Sequence, residues 1–205
     1  MASPPLLPGL PLLPNPLLGS AGHQRFGESL PDDPRIRGRL ELGRGARSVT
    51  LDGGKDEVLK ILACPASYLF LTDPTGPKGP HFPEVFEDCG VIGETRDGYP
   101  LHLLRMERLF PLVGPSAALE MARHLQNGYF EACQAWWGFS EDMGRLALSS
   151  MARAASPYWP ESVRDALRGL ERFLDEVRAE PDLLHLSNMM MRADGTLVLS
   201  DPVFI

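Results

Sequence analysis

Four side chains near the end of the chain are of the right types to handle a metal ion and a proton: Asp182, His185, Asn188 and Asp201. The first three sit within "DLLHLSN", and Asp201 follows in "DGTLVLSDPVFI". Asn188 and Asp201 are 13 residues apart, with the turn-forming pair Asp194-Gly195 between them. A hairpin of that length returns the chain alongside itself and brings an amide oxygen and a carboxylate to one end. Such oxygen ligands suit Mg²⁺, which keeps water and phosphate oxygens in the rest of its shell. The same residues also describe an ordinary hairpin, with an Asn at a turn and an Asp near a chain end.

Three upstream stretches could complete a nucleotide site. "LGRGARS" contains Gly43, Gly45 and Ser48, and glycine lets a backbone approach phosphate oxygens closely. Glycine turns are equally common in plain antiparallel sheets. Lys60 interrupts the apolar run "EVLKIL" and needs either an anion or an exposed strand face. "LLRMERL" runs an apolar strand into polar residues at Arg105, Glu107 and Arg108, interleaved with Met106 and Leu109.

The surrounding sequence supplies elements to hold these groups. Short β candidates separated by glycine turns occupy residues 35–62, with "DGG" at 52–54 as the strongest hairpin signal. "PTGPKGP" at 74–80 must be a loop. "EVFEDCGVIG" and "YPLHLLRMERL" read as two further strands around "TRDG", giving about five antiparallel strands. After Pro111 the pattern becomes helical: Ser116 is a good N-cap, and Leu167, Leu170, Phe173, Leu174 and Val177 form one apolar stripe. Strands followed by helices and a closing hairpin predict an α+β fold.

Composition narrows the function classes. The net charge of −7 gives no electrostatic reason to expect nucleic acid as a partner. Three cysteines, Cys64, Cys89 and Cys133, with no C-x-x-C pair, point to neither a disulfide framework nor a zinc site. No apolar run approaches the roughly 18 residues that span a bilayer. Residues 1–34 are rich in Leu and Pro and read as an irregular arm, whose prolines break any helical leader segment. Trp136 and Trp137 read as helix packing, with one of the pair facing outward.

Taken in order, "LGRGARS", "VLK", "RMERL" and "LLHLSNMMMRADGTLVLSDPV" resemble the nucleotide-binding part of the protein-kinase-like superfamily, from about Arg35 onward. The resemblance implies a two-lobed α+β molecule: an antiparallel N-lobe at 35–109 and a truncated helical C-lobe at 110–205 ending in a metal-binding hairpin. It implies ATP and Mg²⁺ as cofactors. By position, Gly43, Gly45 and Ser48 would cover the phosphates, Lys60 would contact them, and Met106, Glu107 and Leu109 would line the adenine site. Asn188 and Asp201 would hold Mg²⁺, Asp182 would serve as the base, and His185 would steady the transferring group.

Three departures from the family pattern bear on activity. The family places its catalytic Asp five residues before the metal Asn; that position is Leu183, and Asp182 lies one residue earlier. Either a bulge in "DLLHL" brings Asp182 to the site or the base is missing. No Glu lies between Lys60 and Pro80 to pair with the lysine, and "PASYLFLTD" holds at most about two helical turns. "DPV" replaces the usual "DFG", and the chain runs only to Ile205. These features lead to the expectation of a minimal protein kinase, such as a bacterial effector or phage protein, working in the cytoplasm or in a host cytosol. The alternatives are a pseudokinase that occupies a partner protein and a small-molecule phosphotransferase.

Overall fold

A computed structural model describes residues 29–138 and 142–204. The first 28 residues, most of the Pro/Leu-rich arm, lie outside the described part. Five strands form one antiparallel sheet: β1 (Glu41–Arg44), β2 (Ser48–Asp52), β3 (Glu57–Leu62), β4 (Val85–Glu94) and β5 (Pro100–Glu107), in the order β1-β2-β3-β5-β4. Between β3 and β4 lies one short helix, α1 (Pro65–Thr72), which starts with a proline at its first position, where no backbone N–H is required. It has the two turns that its sequence allows.

β3 explains why "EVLKIL" shows no clean alternation. Leu59 and Ile61 pack on one face of the sheet with Val49, Leu51, Leu101, Leu103 and Ile36. Val58 and Leu62 pack on the other face with Leu104, Met106, Phe70 and Phe82, in a core shared with all the helices. A strand covered on both sides is apolar at nearly every position. Residues 35–38, expected as part of a strand, instead form a turn with Pro34 that lays Ile36 onto the first of these cores. Residues 29–34, assigned to the arm by composition, also lie against the sheet: Leu30 joins that core, and a Cβ on Gly93 would come within 3.1 Å of the Pro31 ring.

The second half is helical. α2 (Ala117–Trp136) begins as expected, with the Ser116 hydroxyl accepting the Leu119 N–H at 3.2 Å. α3 (Met143–Arg153) and α4 (Glu161–Val177) follow, and α4 buries Leu167, Leu170, Phe173 and Leu174. The α2 end departs from expectation. Trp136 and Trp137 are both exposed, at 38% and 52%, at the end of α2, whose last buried residue is Cys133.

Small strands close the molecule. β6 (Phe110–Pro111), β8 (Met189–Met191) and β9 (Leu197–Leu199) form one sheet in the order β6-β8-β9, and β7 (Glu180–Pro181) pairs with β10 (Val203–Phe204). Gly195 makes the β8–β9 turn possible with φ of 86°, a conformation costly for other residues. The fold is thus α+β, with an antiparallel sheet and, among the described residues, four α-helices. No helix among the described residues is long and apolar enough to cross a membrane.

Candidate active site

The sheet register sets out the upper half of the site. Gly43 pairs with Thr50, Thr50 with Lys60, and Lys60 with Leu104. Residues opposite one another across an antiparallel sheet share a face, so Gly43 and Lys60 look the same way, toward the helices. Lys60 is therefore not a solvent-facing strand lysine; only 9% of it is exposed. Its ammonium lies 3.6 Å from a carboxylate oxygen of Asp201. α1 carries no acid that could pair with Lys60.

Gly43 and Gly45 are exposed and neither has a positive φ. Conformation therefore does not demand glycine at either position. A Cβ on Gly43 would meet nothing within 4 Å, and one on Gly45 would come 3.3 Å from the Ser48 hydroxyl. Gly43 thus leaves open space at its strand, whereas a side chain on Gly45 would press on Ser48.

The lower half is held by main-chain hydrogen bonds. Asn188 ends a short 3-10 turn, Leu186–Asn188, and leads directly into β8. Its carbonyl accepts the N–H groups of Ser200 at 2.8 Å and Asp201 at 3.2 Å. The N–H of Asp182 donates to the Pro202 carbonyl at 2.8 Å, and the Asn188 side-chain NH₂ donates to the Asp182 carbonyl at 3.2 Å. Asp182, Asn188 and Asp201 are therefore stitched into one unit across the hairpin.

Within that unit Leu183 is fully buried and Asp182 half-buried. Asp182, rather than Leu183, faces the other polar groups. Burial pushes the Asp182 carboxyl above the usual carboxylate range; the nearby His185 imidazole and a hydrogen bond from the Asn188 amide oppose the rise, and the Asp201 charge adds to it. Asp182, His185, Asn188 and Asp201 are thus within electrostatic reach of one another, and Lys60 reaches Asp201 from the sheet.

α2 supports this loop from behind. The Gln126 side chain donates to the Leu184 carbonyl, and the Tyr129 hydroxyl donates to that of Pro181 at 3.1 Å. α3 approaches just as closely: a Cβ on Gly144 would lie 2.8 Å from the Tyr129 hydroxyl and 2.9 Å from Glu180 Oε2. Sequence patterning carried no sign of Gln126, Tyr129 or Gly144, because such supports lie far along the chain from what they hold. Thr50 could have been found, since it alternates with Val49 and Leu51 onto the Lys60 face.

At the edge of the site, Met106 is buried beside Val58. The N–H of Glu107 donates to the Glu84 carbonyl at 3.0 Å, and that of Arg108 to the Asp56 carbonyl at 2.9 Å. Of the backbone N–H groups at 107–109, that leaves Leu109 without such a bond among the described residues. The Glu107 carboxylate is held by Arg192 through two hydrogen bonds, of 2.6 and 2.8 Å, and accepts the Glu84 N–H at 2.8 Å. Arg192 also donates to the carbonyls of Pro80 and Phe82, so one guanidinium joins the end of β5 to the β8–β9 hairpin.

The donor set suits a hard divalent cation. With its NH₂ turned to Asp182, the Asn188 amide leaves its oxygen for another partner, and the carboxylates of Asp182 and Asp201 feel each other's charge. Among the described residues no three His, Cys, Asp or Glu side chains gather as a cage. One amide and one carboxylate, completed by water and phosphate oxygens, is how Mg²⁺ is commonly held. Two cavities of about 500 and 460 Å³ lie elsewhere, one between α1 and β4 and the other between the 75–82 loop and α4, and neither is lined by Lys60, Asn188 or Asp201. The polar cluster therefore lies outside both.

No family model matches the chain, and no curated protein matches its sequence.

Proposed function

We propose that the protein is a minimal kinase-like phosphotransferase that uses Mg-ATP and transfers the γ-phosphoryl group to a Ser, Thr or Tyr hydroxyl of a protein. The observation that carries this reading is the approach of Lys60 to Asp201, with Asn188 and Asp182 held beside that carboxylate by the hairpin. The strand order, the glycine hairpin on the Lys60 face, and the chain order of lysine, hinge, loop and hairpin all support it.

In this reading Lys60 pairs with the α and β phosphates while Gly43, Gly45 and Ser48 cover them, the glycines letting the backbone approach phosphate oxygens closely. Asn188 and Asp201 would hold Mg²⁺, which supplies charge neutralisation at the β and γ phosphates when bound. Met106 backs the adenine, and Leu109 offers the uncommitted N–H at the hinge. Asp182 orients the acceptor hydroxyl and takes its proton as the new O–P bond forms and the bond from the γ-phosphorus to the bridging oxygen breaks, leaving ADP. Its raised pKa suits this role, since a more basic carboxylate accepts a proton more readily. His185, on the same loop, steadies the transferring group.

Transfer of radiolabel from γ-labelled ATP to a protein acceptor, or to the chain itself, tests the proposal. Label that appears with wild type and disappears with Asp201→Ala supports it. Transfer that survives this substitution rejects the site. A second reading, a nucleotide-binding module that acts by occupying a partner, is favoured by one observation: α1 offers Lys60 no acid to fix it for catalysis. Thermal stabilisation by Mg-ATP without any transfer would select this reading.

A further inference from the structure

We infer that Lys60 governs metal entry, so that the site takes up a divalent cation only together with a phosphate anion. The inference deepens the phosphotransferase reading and rests on its assignment of Asp201.

Lys60 is largely buried, and its ion pair with Asp201 is the single ion pair it makes among the described residues. Its surroundings offer no replacement. Its cross-strand neighbours on the same face are Thr50 and Leu104, both uncharged. The helix packed against β3, with sequence PASYLFLT, contains no carboxylate. The other acid of the cluster, Asp182, already has the Asn188 amide and the His185 imidazole beside it.

A divalent ion bound to Asp201 would sit at roughly 2.0–2.1 Å from its oxygen. The ammonium, 3.6 Å from that carboxylate, would then face a doubly charged ion a few ångströms away. In a partly buried setting this repulsion is screened less than in water. A phosphate removes the conflict, because one of its oxygens can ligate the metal while another accepts from the lysine. Each cation then keeps an anionic partner. Metal and nucleotide binding are therefore coupled, and the coupling acts equally in both directions.

The test uses the full chain and Mn²⁺ as the probe, with free ion followed by electron paramagnetic resonance. Wild type binds free Mn²⁺ at least about 10-fold more weakly than Lys60→Met does, and a non-hydrolysable ATP analogue tightens wild-type binding by a similar factor. The analogue's effect shrinks in Lys60→Met, and adding Asp201→Asn to that variant abolishes the Mn²⁺ binding it gained. Lys60→Gln repeats the measurement in case the methionine variant folds poorly. If Lys60→Met and Lys60→Gln bind free Mn²⁺ no better than wild type, the inference is overturned, whether or not wild type binds Mn²⁺ with the analogue. If wild type ignores the analogue but both lysine variants gain free Mn²⁺, the competition at Asp201 stands and the nucleotide reading falls.

Discussion

The two halves of the candidate site are built in opposite ways. Below, backbone hydrogen bonds tie Asp182 to Pro202 and Asn188 to Asp201, and the Asn188 side chain ties the two together, with Gln126 and Tyr129 bracing the loop from α2. Above, Gly43 and Gly45 lie on an exposed edge hairpin, and a side chain on Gly43 would touch nothing within 4 Å. Under the proposed function, groups that would meet a metal and a reacting hydroxyl need sub-ångström placement, and a dense hydrogen-bonded support provides it. A cover over phosphates would need room and could stay loosely packed. Stability should therefore reside below and adaptability above.

Asp182→Asn tests the lower half most severely. It should reduce phosphoryl transfer by about 10² to 10⁴-fold, the usual loss with a general base, and leave Mg-ATP affinity nearly unchanged. It should also stabilise the fold. The folded carboxyl titrates above its unfolded value, so the wild type gives up stability as pH rises through the folded pKa. The amide that replaces the carboxyl cannot ionise. The variant's melting temperature should exceed that of wild type at neutral and higher pH, and the gap should close below about pH 4, where the unfolded carboxyl is also protonated. A variant less stable than wild type at pH 8 would mean that the Asp182 charge is favourably held, contrary to this account.

Gly144→Ala should come next in size. Its Cβ has no room beside Tyr129 and Glu180, and such overpacking costs about 1–3 kcal/mol. Urea denaturation reads the loss directly. Gly43→Ala is the matched control from the upper half. It should change stability by less than about 0.5 kcal/mol while weakening nucleotide binding several-fold. If the two alanines had similar effects on stability, the contrast between a packed floor and an open cover would not hold.

Much of the architecture could be read from residue patterns, because turns and alternation are local. The Asp194-Gly195 turn, the Ser116 cap and the α4 stripe all appear where expected. What could not be read depends on partners far apart in the chain. In "EVLKIL", coverage of both sheet faces removes the alternation that would have shown which way Lys60 points. Its partner lies in the last five residues. The choice between Asp182 and Leu183 also escaped pattern reading, since a loop has no period. It is decided by the core, which takes Leu183 and leaves Asp182 beside Asn188. The Arg192–Glu107 pair was hidden for the same reason, as two charged residues far apart in the chain carry no mutual signal.

The central claim is that Asn188 and Asp201 hold one magnesium ion beneath a bound triphosphate. Calorimetric titration of the wild type with a non-hydrolysable ATP analogue, with and without Mg²⁺, tests it most directly when repeated on Asn188→Ala and Asp201→Ala. The account predicts saturable binding that Mg²⁺ strengthens in the wild type, with the Mg²⁺ dependence lost in both variants. Binding that is absent in the wild type, or equally Mg²⁺-dependent in all three proteins, would contradict it.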